Sequence, residues 1–118
     1  MIKGIDHLEV VTRDVEAMAE FLKKIGFKEV RRTDHHGLAI EVRPPGENQP
    51  VFELHAVAEG YNPGINHIAF TVDDCKATFE ELKAKGIVFQ SEPEHIKSSG
   101  RIVASFRDPD GFRIQLAQ

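Results

Sequence analysis

Four side chains that suit a divalent cation occur as two pairs with nearly equal spacing. His7 and Glu53 are 46 residues apart, and His67 and Gln115 are 48 residues apart. Imidazole nitrogen, carboxylate oxygen and amide oxygen are all ligands for borderline or hard divalent ions. A pseudo-twofold repeat would bring the four side chains together about one axis. The pattern therefore predicts a metal site with mixed nitrogen and oxygen ligands.

The two halves of the chain are similar in sequence, which supports such a repeat. Residues 5–30 align without a gap with residues 65–90, and eight of the 26 aligned positions are identical. Helical segments share residue types by chance, so these identities alone are modest support. The order of the predicted elements is also the same in both halves, and this agreement makes an internal repeat the better explanation.

Each half has the pattern of a βαβββ module: a strand, an amphipathic helix and three further strands. Runs of β-branched and aliphatic residues predict strands at Ile5–Val11, Phe27–Arg32, Leu38–Arg43, Val51–Val57, Ile65–Val72, Ile87–Gln90, Arg101–Arg107 and Phe112–Ala117. Helices with an aspartate N-cap and a terminal glycine are predicted at Asp14–Ile25 and Asp74–Lys85. The fold class is therefore α+β. It is expected as one domain of residues 1–118, with module one at 1–61 and module two at 62–118.

Local signals predict the buried face of the first helix and the loops near the C-terminus. Ala17, Phe21 and Leu22 are expected on the apolar face of the helix. The Asp-Pro-Asp-Gly sequence of residues 108–111 predicts a tight turn. Residues 91–100 predict a longer polar loop, which is a candidate lid.

Strand alternation places a set of polar residues on one face of the predicted sheet. Apolar residues such as Leu8 and Leu54 should face the helices, which leaves polar residues opposite. That polar set is His7, Glu9, Glu53, His55, His67, Arg113 and Gln115. The remaining histidines, His35, His36 and His95, fall in turn-like segments and are expected to be solvated.

Composition and charge argue against several classes of function. The net charge is −4 and no basic run exceeds two residues, so nucleic-acid binding by a charged patch is not expected. No apolar stretch approaches the ~20 residues that span a bilayer. The single cysteine, Cys75, allows no intrachain disulfide and is expected to be a buried structural thiol. These features favour a cytoplasmic soluble protein without nucleic-acid or membrane partners.

Four segments of the chain resemble the vicinal-oxygen-chelate superfamily, which includes glyoxalase I, methylmalonyl-CoA epimerase, extradiol dioxygenases and bleomycin-resistance proteins. They are IDHLEVVTRDVEAMAEFL at 5–22, VFELHA at 51–56, INHIAFTVDD at 65–74 and FRDPDGFRIQLAQ at 106–118. The resemblance covers essentially the whole chain, and its motifs are closest to those of glyoxalase I. It implies a cup of eight strands with two main helices, built from paired modules, and a homodimer.

The resemblance also implies a set of metal ligands from the first and fourth strands of each module. Carried over position by position, they are His7, Glu53, His67 and Gln115. Gln115 departs from the metal-dependent enzymes, which usually have a glutamate that is also implicated in proton transfer. This departure argues against the specific glyoxalase I and epimerase activities. It does not argue against metal binding, because Gln is a ligand elsewhere in the family. Zinc, nickel, cobalt, manganese or iron would suit the site.

The implied function is that of a metal-dependent lyase or isomerase. The metal would chelate vicinal oxygens of a small substrate and stabilise an enediolate-like anion, and Glu53 would carry the proton. An extradiol dioxygenase is less favoured, because Gln115 stands where its iron triad has a glutamate. The alternative is metal-free binding of a drug or metabolite, as in bleomycin-resistance proteins. Those proteins usually lack the ligand histidines, whereas this chain retains His7 and His67.

Three further residues of the polar face have two interpretations each. Glu9 is either an alternative base or a solvated strand residue. His55 either contacts a metal ligand or the substrate, or is structural. Arg113 either binds an anionic substrate or is a surface charge. The sequence leaves open the substrate, the metal, and whether one chain or two chains form the cup.

Overall fold

The computed structural model describes all residues 1–118 and confirms the α+β class, with eight strands and two helices. The elements in chain order are β1 (Ile2–Thr12), α1 (Val15–Lys24), β2 (Lys28–Asp34), β3 (Leu38–Arg43), β4 (Val51–Ala56), β5 (Gly64–Val72), α2 (Cys75–Ala84), β6 (Glu94–His95), β7 (Ile102–Arg107) and β8 (Arg113–Ala117). Neither helix is long and apolar enough to cross a membrane.

The two helices begin and end in the same way, as the repeat predicts. Asp14 and Asp74 are the N-caps, and each carboxylate accepts a hydrogen bond of 2.9 Å from the backbone N–H three residues later. Each helix ends just before a glycine with a left-handed backbone, Gly26 at φ +108° and Gly86 at φ +94°. These local signals explain why the predicted helix bounds agree closely with the structure.

The buried face of α1 differs from the predicted one. Val15, Ala19 and Leu22 are buried, whereas Ala17 is exposed and Phe21 is 58% exposed. The buried residues follow the i, i+4, i+7 spacing of one helix face, and Phe21 falls outside that stripe. The prediction was wrong for Ala17 and Phe21 because it weighed hydrophobicity above helical phase.

Residues His7–Asn66 form one compact unit, called here the first unit. Its strands lie in the order β2-β3-β4-β1, with β1 and β4 parallel and the other neighbours antiparallel. Helix α1 covers one face of these strands. The buried core residues there are Val15, Ala19, Leu22, Ile40, Val42 and Leu54. Their alternation along β3 and β4 leaves the opposite face to polar side chains, as predicted.

Residues Met1–Asp6 and His67–Gln118 form the second unit. Its strands lie in the order β5-β8-β7-β6, with β5 and β8 parallel. The buried core residues beside α2 are Val72, Cys75, Phe79, Ala104, Phe106 and Leu116. An ion pair of 2.8 Å between Asp6 and Arg101 ties the N-terminal segment to this unit.

The predicted strand Ile87–Gln90 is wrong. A single bridge, Phe89 to Phe106, forms there, and the short strand β6 lies instead at Glu94–His95, inside the segment predicted as a loop. The ring centroid of Phe89 is 4.6 Å from that of Phe79 and 5.0 Å from that of Phe106. The apolar run is therefore explained by one aromatic ring that packs into the core rather than by a paired strand.

The tight turn predicted at residues 108–111 is present and fixes how β8 pairs with β7. The Asp108 carboxylate accepts hydrogen bonds from the backbone N–H groups of Asp110 and Phe112, at 2.9 Å and 2.7 Å. Gly111 has φ +88°, which a glycine adopts without strain. The antiparallel register that follows places Gln115 directly opposite Ser105.

Candidate functional site

Charged side chains lie side by side across four strands of the first unit, on the face away from α1. Arg31 on β2 is paired with Glu41 on β3, Glu41 with Glu53 on β4, and Glu53 with Glu9 on β1. Directly paired residues project to the same side of a sheet. Glu41 and Glu53 are buried, and carboxylates are almost never buried without partners. We call Glu9, Glu41 and Glu53 the carboxylate row.

Arg31 and His55 offset the negative charge of the carboxylate row. Arg31 Nε donates to Glu41 Oε2 at 2.8 Å. His55 Nε2 lies 2.6 Å from Glu53 Oε1 and 3.9 Å from Glu9 Oε2. Burial lowers the pKa of His55, but its hydrogen bond to Glu53 and the negative charges of the carboxylate row outweigh burial and raise the pKa above its ordinary value of 6.5. The row therefore favours a protonated His55.

His7 lies on the same face as the carboxylate row. It is buried, is paired with Val51, and stands two residues before Glu9 on β1. Glu53 stands two residues after Val51 on β4, so His7 and Glu53 project to the same side of the first unit. The two predicted ligands of this unit thus share one face.

The matching face of the second unit carries neutral groups beside His67. Gln115 on β8 is paired with Ala69 on β5 and with Ser105 on β7, and His67 is paired with Arg113. His67, Ser105 and Gln115 are buried. Gln115 Nε2 and Arg113 Nη2 both donate to Ser105 Oγ, each at 3.4 Å. The two predicted ligands of this unit also share one face.

Equivalent positions of the two units therefore differ in charge. Glu9, Glu41 and Glu53 of the first unit correspond in register to Ala69, Ser105 and Gln115 of the second. Carboxylates and imidazoles are acid–base groups, whereas the amide and hydroxyl of the second unit are not. The capacity for acid–base chemistry is concentrated in the first unit.

The predicted ligands fit a divalent ion in their chemistry. Their side chains are all buried and offer two imidazoles, one carboxylate and one amide oxygen. The nitrogen of the Gln115 amide is engaged by Ser105, so its oxygen is the atom that a cation would meet. Glu53 has a second set of neighbours, because ligand atoms of Glu9, Glu53 and His55 lie within 4.8 Å of one another.

Several residues on these faces were not predicted from the sequence: Arg31, His35, Glu41 and Ser105. Strand alternation could have found two of them, because Glu41 lies between Ile40 and Val42, and Ser105 lies between Ala104 and Phe106. The ring centroid of His35, expected to be solvated, lies 5.9 Å from that of His55. This contact depends on the path of the β2–β3 turn, which the sequence pattern does not specify.

A known protein family matches nearly the whole chain. The model of the Glyoxalase/Bleomycin resistance protein/Dioxygenase superfamily matches residues 4–116.

The "Lactoylglutathione lyase" of Salmonella typhimurium is 27% identical over 110 residues, which are 86% of this chain and 82% of that protein. A "Probable lactoylglutathione lyase" of Vibrio cholerae is 42% identical over 52 residues, 44% of this chain and 38% of that protein. An Arabidopsis thaliana "Probable lactoylglutathione lyase, chloroplastic" is 36% identical over 55 residues, 47% of this chain and 16% of that protein. The matched segment thus spans less than half the length of these last two relatives.

Solved structures with the same fold include methylmalonyl-CoA epimerases. One crystal structure matches with a TM-score of 0.86 at 18% identity and covers 100% of this chain and 96% of that one. The epimerase from Mycobacterium tuberculosis matches with a TM-score of 0.84 at 19% identity, over 98% of this chain and 87% of that one. At these identities the likeness shows the fold alone, and it confirms the predicted arrangement of paired βαβββ modules.

Proposed function

The chain belongs to the Glyoxalase/Bleomycin resistance protein/Dioxygenase superfamily, and we propose that it is a metal-dependent enzyme of the lyase or isomerase type. Its substrate would be a small molecule with two vicinal oxygens. One observation carries the proposal: each unit buries a histidine on its first strand and a side chain with a carbonyl or carboxylate oxygen on its fourth, on a shared face. A repeat that served only packing would not require buried imidazoles at both places.

We propose that His7, Glu53, His67 and Gln115 hold one divalent ion, which would be zinc, nickel, cobalt, manganese or iron. When bound, the ion would act as a Lewis acid that stabilises the enediolate-like anion left after the substrate loses a proton. The two ligand pairs would come from one chain or from the two chains of a dimer.

Proton transfer in this proposal belongs to the carboxylate row. Glu53 would carry the proton, with Glu9 as the alternative base. His55, at 2.6 Å from Glu53, would hold one Glu53 oxygen in place and balance the charge of the carboxylate row. Arg31 would hold Glu41 in place beside them through its bond of 2.8 Å. A proton removed from the substrate would therefore enter a network that already contains an acceptor and a balancing cation.

Arg113 is the proposed contact for an anionic group of the substrate. It is half-buried and donates to the neutral hydroxyl of Ser105 rather than to a carboxylate. A guanidinium without an acidic partner retains donors for a carboxylate or phosphate. The proposed substrate is thus an anion with vicinal oxygens.

The activities to test first are those that the relatives' names suggest, lactoylglutathione lyase and methylmalonyl-CoA epimerase. Because Gln115 replaces the carboxylate usual at its position, we expect weak turnover of both substrates by the wild-type protein. Metal-free binding of a small molecule is the second candidate function, and the neutral Gln115 is the observation that favours it.

Two linked measurements test the enzyme proposal. Elemental analysis of protein purified without a histidine tag should find about one transition-metal ion per chain. Deuterium incorporation from D₂O into lactoylglutathione or methylmalonyl-CoA, followed by NMR, should occur and should be lost in Glu53→Gln. His95→Ala, an exposed histidine on β6, is the matched control and should behave as wild type. Absence of metal together with absence of exchange would favour the metal-free binding module instead.

A homodimer and a cytoplasmic location complete the proposal. Several apolar strand residues are exposed, among them Ile2, Ile5 and Ile65, and a homodimer would give such residues a surface to pack against. Light scattering should give twice the chain mass of 13.2 kDa, and a monomer at working concentration would contradict the dimer. The buried free thiol of Cys75 is compatible with a reducing compartment.

A further inference from the structure

The side chain of Gln115 has a single hydrogen-bond partner, Ser105. We propose that Ser105 is a positioning residue, which fixes the Gln115 carboxamide with its nitrogen turned away and its oxygen presented to a ligand. The inference rests on the proposed metal site, because it concerns one of the four ligands. It goes beyond that proposal in assigning a role to a residue outside the ligand set.

The placement of Ser105 is rigid. It is paired directly with Gln115 across β7 and β8, and the turn capped by Asp108 fixes that register. Ser105 is 4% exposed and Gln115 is 7% exposed, so water competes little for their contact. The Gln115 Nε2 to Ser105 Oγ distance is 3.4 Å, within reach of a hydrogen bond.

The chemistry of the contact selects one end of the amide. A carboxamide donates through its nitrogen and accepts through its oxygen, and only the oxygen can bind a cation. Ser105 Oγ accepts from Gln115 Nε2 and from Arg113 Nη2, and the guanidinium can only donate. The hydrogen bond of the Gln115 side chain is donated by Nε2, and no fully buried side-chain oxygen lacks a partner. Gln115 Oε1 therefore keeps some access to a ligand and is able to accept a cation.

The first unit shows why such a device is needed in the second. There the equivalent pair is Glu41 and Glu53, in which both carboxylate oxygens are acceptors. A carboxylate that rotates about its last single bond still presents an oxygen to the cation. An amide that rotates in the same way presents its N–H groups instead. A neutral ligand therefore requires a neighbour that fixes its orientation, and Ser105 occupies the position for it.

The test is a mutant cycle read by affinity for Zn²⁺ in calorimetry. We expect Ser105→Ala to weaken binding by at least about tenfold, the usual effect of losing a residue that orients a ligand. Ser105→Thr keeps the hydroxyl and should retain most of the affinity. In the Gln115→Glu background, Ser105→Ala should have a much smaller effect, because the carboxylate needs no orientation. An equal loss in both backgrounds would overturn the positioning role, as would no loss in the wild-type background.

A second readout separates this inference from the proposed metal site. In metal-free protein, the side-chain NH₂ resonances of Gln115, assigned by their absence in Gln115→Glu, should shift in Ser105→Ala. They should not shift in Ser91→Ala, an exposed serine that serves as control. If the wild-type protein binds no ion, the metal proposal fails and the NMR result alone decides: unchanged Gln115 resonances in Ser105→Ala would overturn the inference.

Discussion

Replacing Arg31 by alanine tests whether charge compensation holds the carboxylate row in place. Arg31 Nε donates to Glu41 Oε2 at 2.8 Å, and the Glu41 side chain is 3% exposed whereas that of Arg31 is 39% exposed. Removal of the guanidinium leaves a buried carboxylate paired in register with Glu53, a second carboxylate. Like charges directly opposite each other on neighbouring strands destabilise a sheet.

The expected magnitude follows from the burial of the two partners. Removing one partner of a fully buried ion pair costs about 3–5 kcal/mol, whereas an exposed pair contributes only about 0.2–1 kcal/mol. Because Arg31 is partly exposed, water can replace some of its donors. We therefore expect Arg31→Ala to lower the free energy of unfolding by about 1–3 kcal/mol. Adding Glu41→Gln removes the charge that Arg31 balances and should recover about 1 kcal/mol of that loss.

Urea denaturation at pH 7, followed by circular dichroism, measures these differences. Arg43→Ala, on the same strand as Glu41 and exposed, is the matched control and should be neutral. Unfolding of Arg31→Ala at the wild-type urea concentration would show that Arg31 does not stabilise the carboxylate row. A double variant Arg31→Ala/Glu41→Gln no more stable than Arg31→Ala alone would show the same for the charge of Glu41.

The remaining predictions concern the core, the thiol and the histidine of the row. Leu54→Ala, at a fully buried core position, should lower the free energy of unfolding by about 2–5 kcal/mol. Phe21→Ala, on the exposed side of α1, should change it by less than about 1 kcal/mol. Urea denaturation of the two variants measures both differences. Cys75 is buried, and burial together with the charge of Asp74 raises its thiol pKa, so a colorimetric thiol reagent should label it only after unfolding. NMR titration should find the pKa of His55 above 6.5. A group whose pKa is higher in the folded than in the unfolded protein stabilises the fold fully below its unfolded-state pKa. This stabilisation is lost as the pH rises through the folded-state pKa. His55→Gln should therefore cost most stability in acid and least in alkali. An equal loss at all pH values would contradict that assignment.

The local features of the fold could be predicted because neighbouring residues determine them. Aspartate caps, terminal glycines and the Asp108–Gly111 turn act over three or four residues, so the bounds of α1, α2 and β8 were found closely. Phe21 was misplaced because hydrophobicity was judged without helical phase. The strand predicted at Ile87–Gln90 was wrong because a short apolar run is compatible with two structures. It can form a paired strand, or, as here, an irregular segment held by one aromatic ring, that of Phe89, in the core.

The sequence was enough to predict on which face of the sheet each candidate residue lies, but not which side chains contact one another. Alternation along one strand is enough to place His7 or Gln115 on the polar face. The pairing of Glu41 with Glu53 and of Ser105 with Gln115 depends on the register between strands, and register is fixed by turns and core packing rather than by the strand's own residues. The charge compensation by Arg31 follows from the same register, so it too became visible only in the structure.

We propose that this chain binds a divalent ion through His7, Glu53, His67 and Gln115, and a calorimetric titration of metal-free, untagged protein with Zn²⁺ tests this proposal. We expect saturation at about one ion per chain and weaker binding in acid, because only neutral imidazole ligates. His67→Ala should lose most of the affinity, by at least about tenfold, and keep a wild-type circular-dichroism spectrum. No uptake of zinc, nickel or cobalt by the wild-type protein, or undiminished affinity in His67→Ala, would contradict the proposed metal site.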